Sequence, residues 1–130
     1  MNTKLIMSVT AIFLALISLS LTFAPDHVMH AFGIPDSIVV RLMFQLLGAL
    51  YFAFAMLNWM AKGAIIGGIY NRPIAIANLS HFVIGGLALT KAVIGNHQLP
   101  LVLSVLAGIY MVAAVVFWLV MSRHPLPASA

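Results

Sequence analysis

The chain has no cysteine, no glutamate and only two aspartates, Asp26 and Asp36, in 130 residues. Without cysteine there can be no disulfide, thiolate metal site, iron–sulfur cluster or cysteine nucleophile, and histidine is the soft ligand that remains. Both acids fall in one outer connection, which gives enzymatic chemistry little support. No Ser-His-acid set can be put at one depth, and no glycine-rich phosphate loop precedes a helix. Charge of either sign is scarce: 6% of residues are charged against 64% hydrophobic, with mean hydropathy +1.16. A soluble domain carries about a quarter charged residues, so lipid must be the solvent for most of this chain's outside. The six Lys and Arg that raise the pI to about 10.0 are scattered rather than gathered on a basic face, which argues against nucleic acid as a partner.

What the sequence does have is four long apolar stretches, at 5–23, 38–60, 73–93 and 101–121. At about 1.5 Å per helical residue, each reaches across a hydrocarbon core about 30 Å thick with modest tilt or thinning. The expected fold is all-α: an integral membrane four-helix bundle with short loops, a single domain over 1–130, and a flexible cytoplasmic tail at 122–130. Lys4 followed by an apolar run has the layout of an export signal. The run is longer than such a signal's core, however, and the small-residue site Thr22-Phe23-Ala24 is followed at once by Pro25, so the first span is expected to be retained. With the amino terminus in the cytoplasm, Lys4, Lys62, Arg72 and Arg123 lie inside, while Arg41, Lys91 and both aspartates lie outside, as the positive-inside rule asks. Both termini are then cytoplasmic. Tyr70, Trp59 and Trp118 fit an aromatic belt at the inner interface.

The first outer connection, Ala24 to Ser37, carries Pro25 and Pro35 as helix breakers, Gly33 for a turn, and an Asp36-Ser37 pair able to cap the second span. One interfacial turn is expected through Val28 to Phe32. The connection 61–72 has basic flanks and an apolar centre, which suits an extension of the second helix along the interface better than re-entry into a cavity. Pro73 suits the first turn of the third span, and Gly95 to Pro100 forms the second outer turn. Small residues at four-residue spacing, Ala11 and Ala15, Ala49 and Ala53, Ser104 and Gly108, are expected to let helices approach closely, with Gly85 and Gly86 marking such an approach on the third span.

Polar residues inside apolar spans are the informative ones, because they are costly when they face lipid. Arg41 begins the second span and can pair with Asp36 or Asp26, with Gln45 one turn below and Gly48 on roughly the same face. This is expected to be an outer-leaflet latch on the first outer connection rather than a substrate-binding arginine. On the third span Asn78, His81 and Gly85 share one helical face, and His81 lies about 12 Å in from Pro73. A structural imidazole bonded to Asn78, to a backbone carbonyl or to Tyr51 is the favoured reading, with proton coupling or ligand binding as the alternative. Asn58 near the inner end of the second span can join Asn78, with Lys62, Tyr70, Asn71 and Arg72 above them. Together these are the candidate ligand- or proton-binding residues, suited to an anionic head group or a small polar solute.

No cofactor is expected. A bis-histidine haem needs two imidazoles at matching depth and only His81 lies within a span, so ligation through His81 alone is the residual haem reading. His27, His30 and His97 share the outer side and His124 lies on the inner. The outer trio is the remaining metal-ligating set, without an accompanying ligand motif, and no metal is expected.

The succession Pro25, Phe32-Gly33-Ile34, Arg41, Gly48-Ala49 and Asn58-Trp59-Met60-Ala61-Lys62 resembles small four-helix bacterial membrane proteins of the DoxX-like group over the first half of the chain. The resemblance implies a four-helix bundle in a bacterial inner membrane. It carries over no activity, since that group offers no catalytic residues to map onto this chain.

Two functional readings follow. In the first the chain is a non-enzymatic small subunit or assembly partner of a larger membrane complex, or docks on its own copies. In the second, an oligomer forms a small-solute or proton-coupled transporter or channel, with Asn58, Asn78 and His81 lining a path and Arg41 at its outer mouth. An enzyme built on His81 and Arg72, or a cofactor- or lipid-binding membrane enzyme, stands behind both.

Overall fold

The structure is a computed structural model that describes residues 2–64 and 71–122. Tyr70, Arg123, His124, the expected tail from 123 onward and the centre of the 61–72 connection lie outside the described residues. Every described element is a helix: α1 (Thr3–Phe23), α2 (Pro25–Ala31), α3 (Ile38–Ala61), α4 (Arg72–Gly95) and α5 (Leu101–Ser122). Four of the five are long and apolar enough to cross a membrane, at 21, 24, 24 and 22 residues. Together with the composition this makes the chain a polytopic integral membrane protein. The observed spans begin and end within two residues of the expected ones.

The chain divides into two compact units, Met1–Gly63 and Ala64–Ala130. The first is built on the pairing of α1 with α3 and the second on that of α4 with α5. Lipid tails are as apolar as leucine, so a helix pair gains little by hiding leucines and must instead bring backbones close. The buried residues of α3 follow that logic, whereas α1 buries Met7 and Leu14 beside Thr10, Ala11 and Ser18. On α3 the buried residues are Gly48, Ala55, Asn58 and Ala61, all small or polar, while Leu46, Leu50, Met56 and Met60 are exposed. At Gly48 an added Cβ would fall on Thr22 Oγ1, with the Ser18 carbonyl oxygen and Thr22 backbone nitrogen each 3.1 Å away. Only glycine lets α1 and α3 meet there.

Several expected contacts fall on other residues. Ala49 and Ala53 are exposed, because the seam of α3 runs through Gly48 and Ala55 instead; Ala11 is buried on α1 and Ala15 half-buried. Gly108 is likewise exposed, with nothing within 4 Å of an added Cβ, since α5 buries the stripe Ala107, Tyr110, Ala114, Phe117 and Val120. Gly85 and Gly86 do mark a close approach: a Cβ at Gly86 would meet Met111 Sδ at 3.0 Å and Tyr110 Cβ at 3.4 Å.

Between α1 and α3 the expected single turn is a two-turn helix, α2. Pro25 opens it, where its missing N–H costs nothing, and Asp26 in the first turn and His30 in the last suit the helix dipole. Gly33 at φ +65° closes it: the Ile34 N–H donates to the Met29 carbonyl at 2.9 Å and the Gly33 N–H to that of His30 at 3.1 Å. These two bonds form a Schellman stop, which needs a left-handed residue and so selects glycine. Ser37 occupies the N-cap position of α3, but its side chain makes no capping bond; its carbonyl accepts from the Arg41 N–H at 2.9 Å, and Asp36 is taken up by the Arg41 side chain.

Candidate functional site

In the α4–α5 unit, Pro73 stands in the first turn of α4 and the face that follows buries Ala75, Asn78, Phe82 and Gly86. His81 stands on the flank of that face and is half-buried. Its Nε2 lies 3.2 Å from the hydroxyl of Tyr110 on α5. With the imidazole proton on Nδ1 the phenol donates, and with it on Nε2 the imidazole donates. Glycine makes this pairing possible: a Cβ at Gly85 would sit 2.7 Å from Tyr110 Cε1 and 2.9 Å from Cδ1, so the phenol ring fills the space a side chain would take.

An aromatic cluster fixes both rings. The Phe82 centroid lies 5.2 Å from that of Tyr110, edge to face, and 5.7 Å from that of Phe117, nearly parallel at 15°. His81 meets Phe82 at 5.1 Å and Tyr110 at 5.3 Å between centroids. Tyr110, Phe82 and Phe117 are each no more than 2% exposed. A packed ring array of this kind holds the imidazole in one orientation and leaves the phenol little freedom to turn away.

Asn78 is fully buried, and its Nδ2 donates to the Ile74 carbonyl one turn back at 2.9 Å. Asn58, on α3, makes the same kind of bond to the Phe54 carbonyl at 2.8 Å and is also fully buried. Folding an amide onto the i−4 carbonyl gives its N–H donor a partner within its own helix.

A second polar site lies where α2 meets the start of α3. The Arg41 guanidinium takes both aspartates: Nε stands 2.7 Å from Asp26 Oδ1, an ion pair short of good hydrogen-bond alignment, and Nη2 donates to Asp36 Oδ1 at 2.8 Å. These three residues, with Met29, His30 and Ile34, line an open cavity of about 380 Å³. The aspartate side chains are 63% and 81% exposed, so solvent screens both pairs and each contributes modestly to stability. What the arginine adds is geometry, since one planar fork ties α2 and the loop after it to α3.

No family model, curated protein or solved structure matches this chain. Its functional reading therefore rests on the residues just described.

The structure thus brings His81 together with Tyr110, and Arg41 with both Asp26 and Asp36. Gln45 is half-buried one turn from Arg41 and makes no bond to the ion-pair cluster among the described residues. Tyr51 is half-buried on α3. Lys62 lies with its Nζ 2.9 Å from the centroid of the Trp59 indole, and Arg72 is exposed at the first residue of α4. Among the described residues no three His, Asp or Glu side chains stand close enough to hold a metal ion. The sequence reading missed Tyr110 as the partner of His81, although its place on the Ala107–Tyr110–Ala114–Phe117 stripe was a usable signal for an inward ring. It also missed Met29 and His30 as lining of the cavity beside Arg41.

Proposed function

We propose that the chain is a non-enzymatic small subunit or assembly partner of a larger membrane complex, in a bacterial inner membrane with both termini cytoplasmic. The observation that carries this reading is how the polar groups within the spans are used. Asn58 and Asn78 are folded onto their own helices, and the His81 imidazole is held against Tyr110 within a packed aromatic cluster. A solute path needs polar groups turned toward passing water or ions. Long exposed apolar faces on all four spans suit lipid and a membrane-protein partner alike. Kinship with the DoxX-like group belongs to the same proposal and supplies the inner-membrane setting.

The reading includes no resident haem. Nε2, the imidazole nitrogen placed toward the neighbouring helix, is already taken by Tyr110. Protein purified under cofactor-retaining conditions should show no Soret band.

Mild-detergent isolation of the full chain tests the main claim. A stoichiometric larger membrane subunit, retained equally by wild type and by His81→Ala, is the expected result. The competing reading, proton-coupled transport by an oligomer, draws on one observation, a titratable imidazole bonded to a phenol inside a span. A defined homo-oligomer without partner, whose proteoliposome flux depends on pH and is lost in His81→Ala and Asn78→Ala, would favour it.

A further inference from the structure

Both aspartates of the chain are bound to Arg41, at the end of the α1–α3 pair where α2 lies. No other acidic side chain exists to neutralise a lysine at the opposite end. That end is defined by the antiparallel register. Gly48 of α3 sits against Ser18 and Thr22 of α1, and following that register along the pair brings the last turn of α3 level with the first turn of α1. Ala61 and Met7, which the register places side by side, are both buried. Lys62, just past α3, therefore stands level with Ile6, within one helical turn of Lys4 along the first turn of α1.

The helix ends leave this charge in place. The α3 C-terminus offsets about half a unit and the α1 N-terminus adds about as much, so two uncompensated ammonium groups remain. Lys62 is also positioned: its Nζ is held 2.9 Å from the centroid of Trp59, which is 46% exposed. Contact with a π face leaves ammonium N–H groups directed elsewhere. Neither Lys62 nor the Trp59 indole N–H makes a hydrogen bond among the described residues. A tryptophan at the end of a span lies at head-group level, and the lysine it holds lies there too.

We propose that Trp59, Lys62 and Lys4 form a binding site for the phosphodiester head group of an anionic phospholipid. The two ammonium groups take the phosphate charge and the indole packs beside the upper acyl chain. The site is independent of whether the chain serves a larger complex, because all three residues belong to one helical pair.

The test is a lipid titration of the full-length protein in detergent by native mass spectrometry, comparing phosphatidylglycerol with phosphatidylcholine of the same acyl chains. Phosphatidylglycerol should bind preferentially. Lys62→Gln and Lys4→Gln should each weaken it about fivefold, while Lys62→Arg, which keeps the charge, and Lys91→Gln on α4 should bind as wild type does. Unchanged helical circular dichroism in the variants separates lost binding from lost folding. The proposal is overturned by equal binding of the two lipids, by wild-type binding in the Lys62→Gln, Lys4→Gln double variant, or by an equal loss in Lys91→Gln. Displacement of the lipid by millimolar inorganic phosphate would also overturn it, since a phosphate site would then need no membrane.

Discussion

The α1–α3 pair keeps its charges at its ends and sets glycine and alanine of α3 against Met7, Leu14 and small residues of α1, whereas the α4–α5 pair carries a packed aromatic array and a histidine–tyrosine bond along its seam. Both solve one problem. Where lipid removes the hydrophobic drive between helices, backbones must come close or side chains must interlock. At Gly48 the glycine admits a neighbouring backbone; at Gly85 it admits a neighbouring ring. The first pair should therefore be sensitive to added volume at Gly48 and the second to removed volume in its aromatic cluster.

The largest effect is expected from Phe82→Ala, which empties the centre of the aromatic cluster. It should cost about 3–5 kcal/mol, read as a lowered unfolding midpoint in detergent. If it behaves like a lipid-facing truncation such as Ile84→Ala, a residue 69% exposed, the cluster does not hold the second pair together. Gly48→Ala comes next, at about 1–3 kcal/mol, because the nearest backbone atoms cannot give way as a flexible side chain would. Ala49→Leu, one residue along on the exposed face, should be close to neutral in the same assay.

Smaller effects belong to the polar contacts. Arg41→Gln should loosen α2, raising hydrogen exchange at Ile34 and Gly33 while leaving the spans protected. The stability change should stay under about 1 kcal/mol and shrink with added salt. Tyr110→Phe keeps the ring and loses the bond to His81, for about 0.6 kcal/mol. A double-mutant cycle with His81→Phe should return a coupling of that size, and no coupling would show that ring packing alone places the imidazole.

Much of this was legible in the residue order. The span limits follow from apolar length and from Pro73 at a helix start, and Arg41 with its two possible acids announced the cluster that closes the first pair. The rest depended on which faces meet. Gly48 and Ala49 are adjacent and both small, yet one is buried and the other exposed, and hydropathy cannot distinguish them when lipid and seam are equally apolar. Tyr110 was hidden for a related reason, since pairing α4 with α5 is a tertiary fact and Tyr51 was an equally sound phenol on sequence alone. The α2 helix was underestimated because its stop is set by backbone geometry at Gly33, which strengthens a short segment beyond its propensity.

The most direct measurement is isolation of wild type and His81→Ala side by side from native membranes in mild detergent, with the mass of each assembly determined. A helper whose imidazole is structural predicts the same stoichiometric partner subunit in both preparations. A partner-free homo-oligomer, with pH-dependent flux that disappears in His81→Ala, would contradict it.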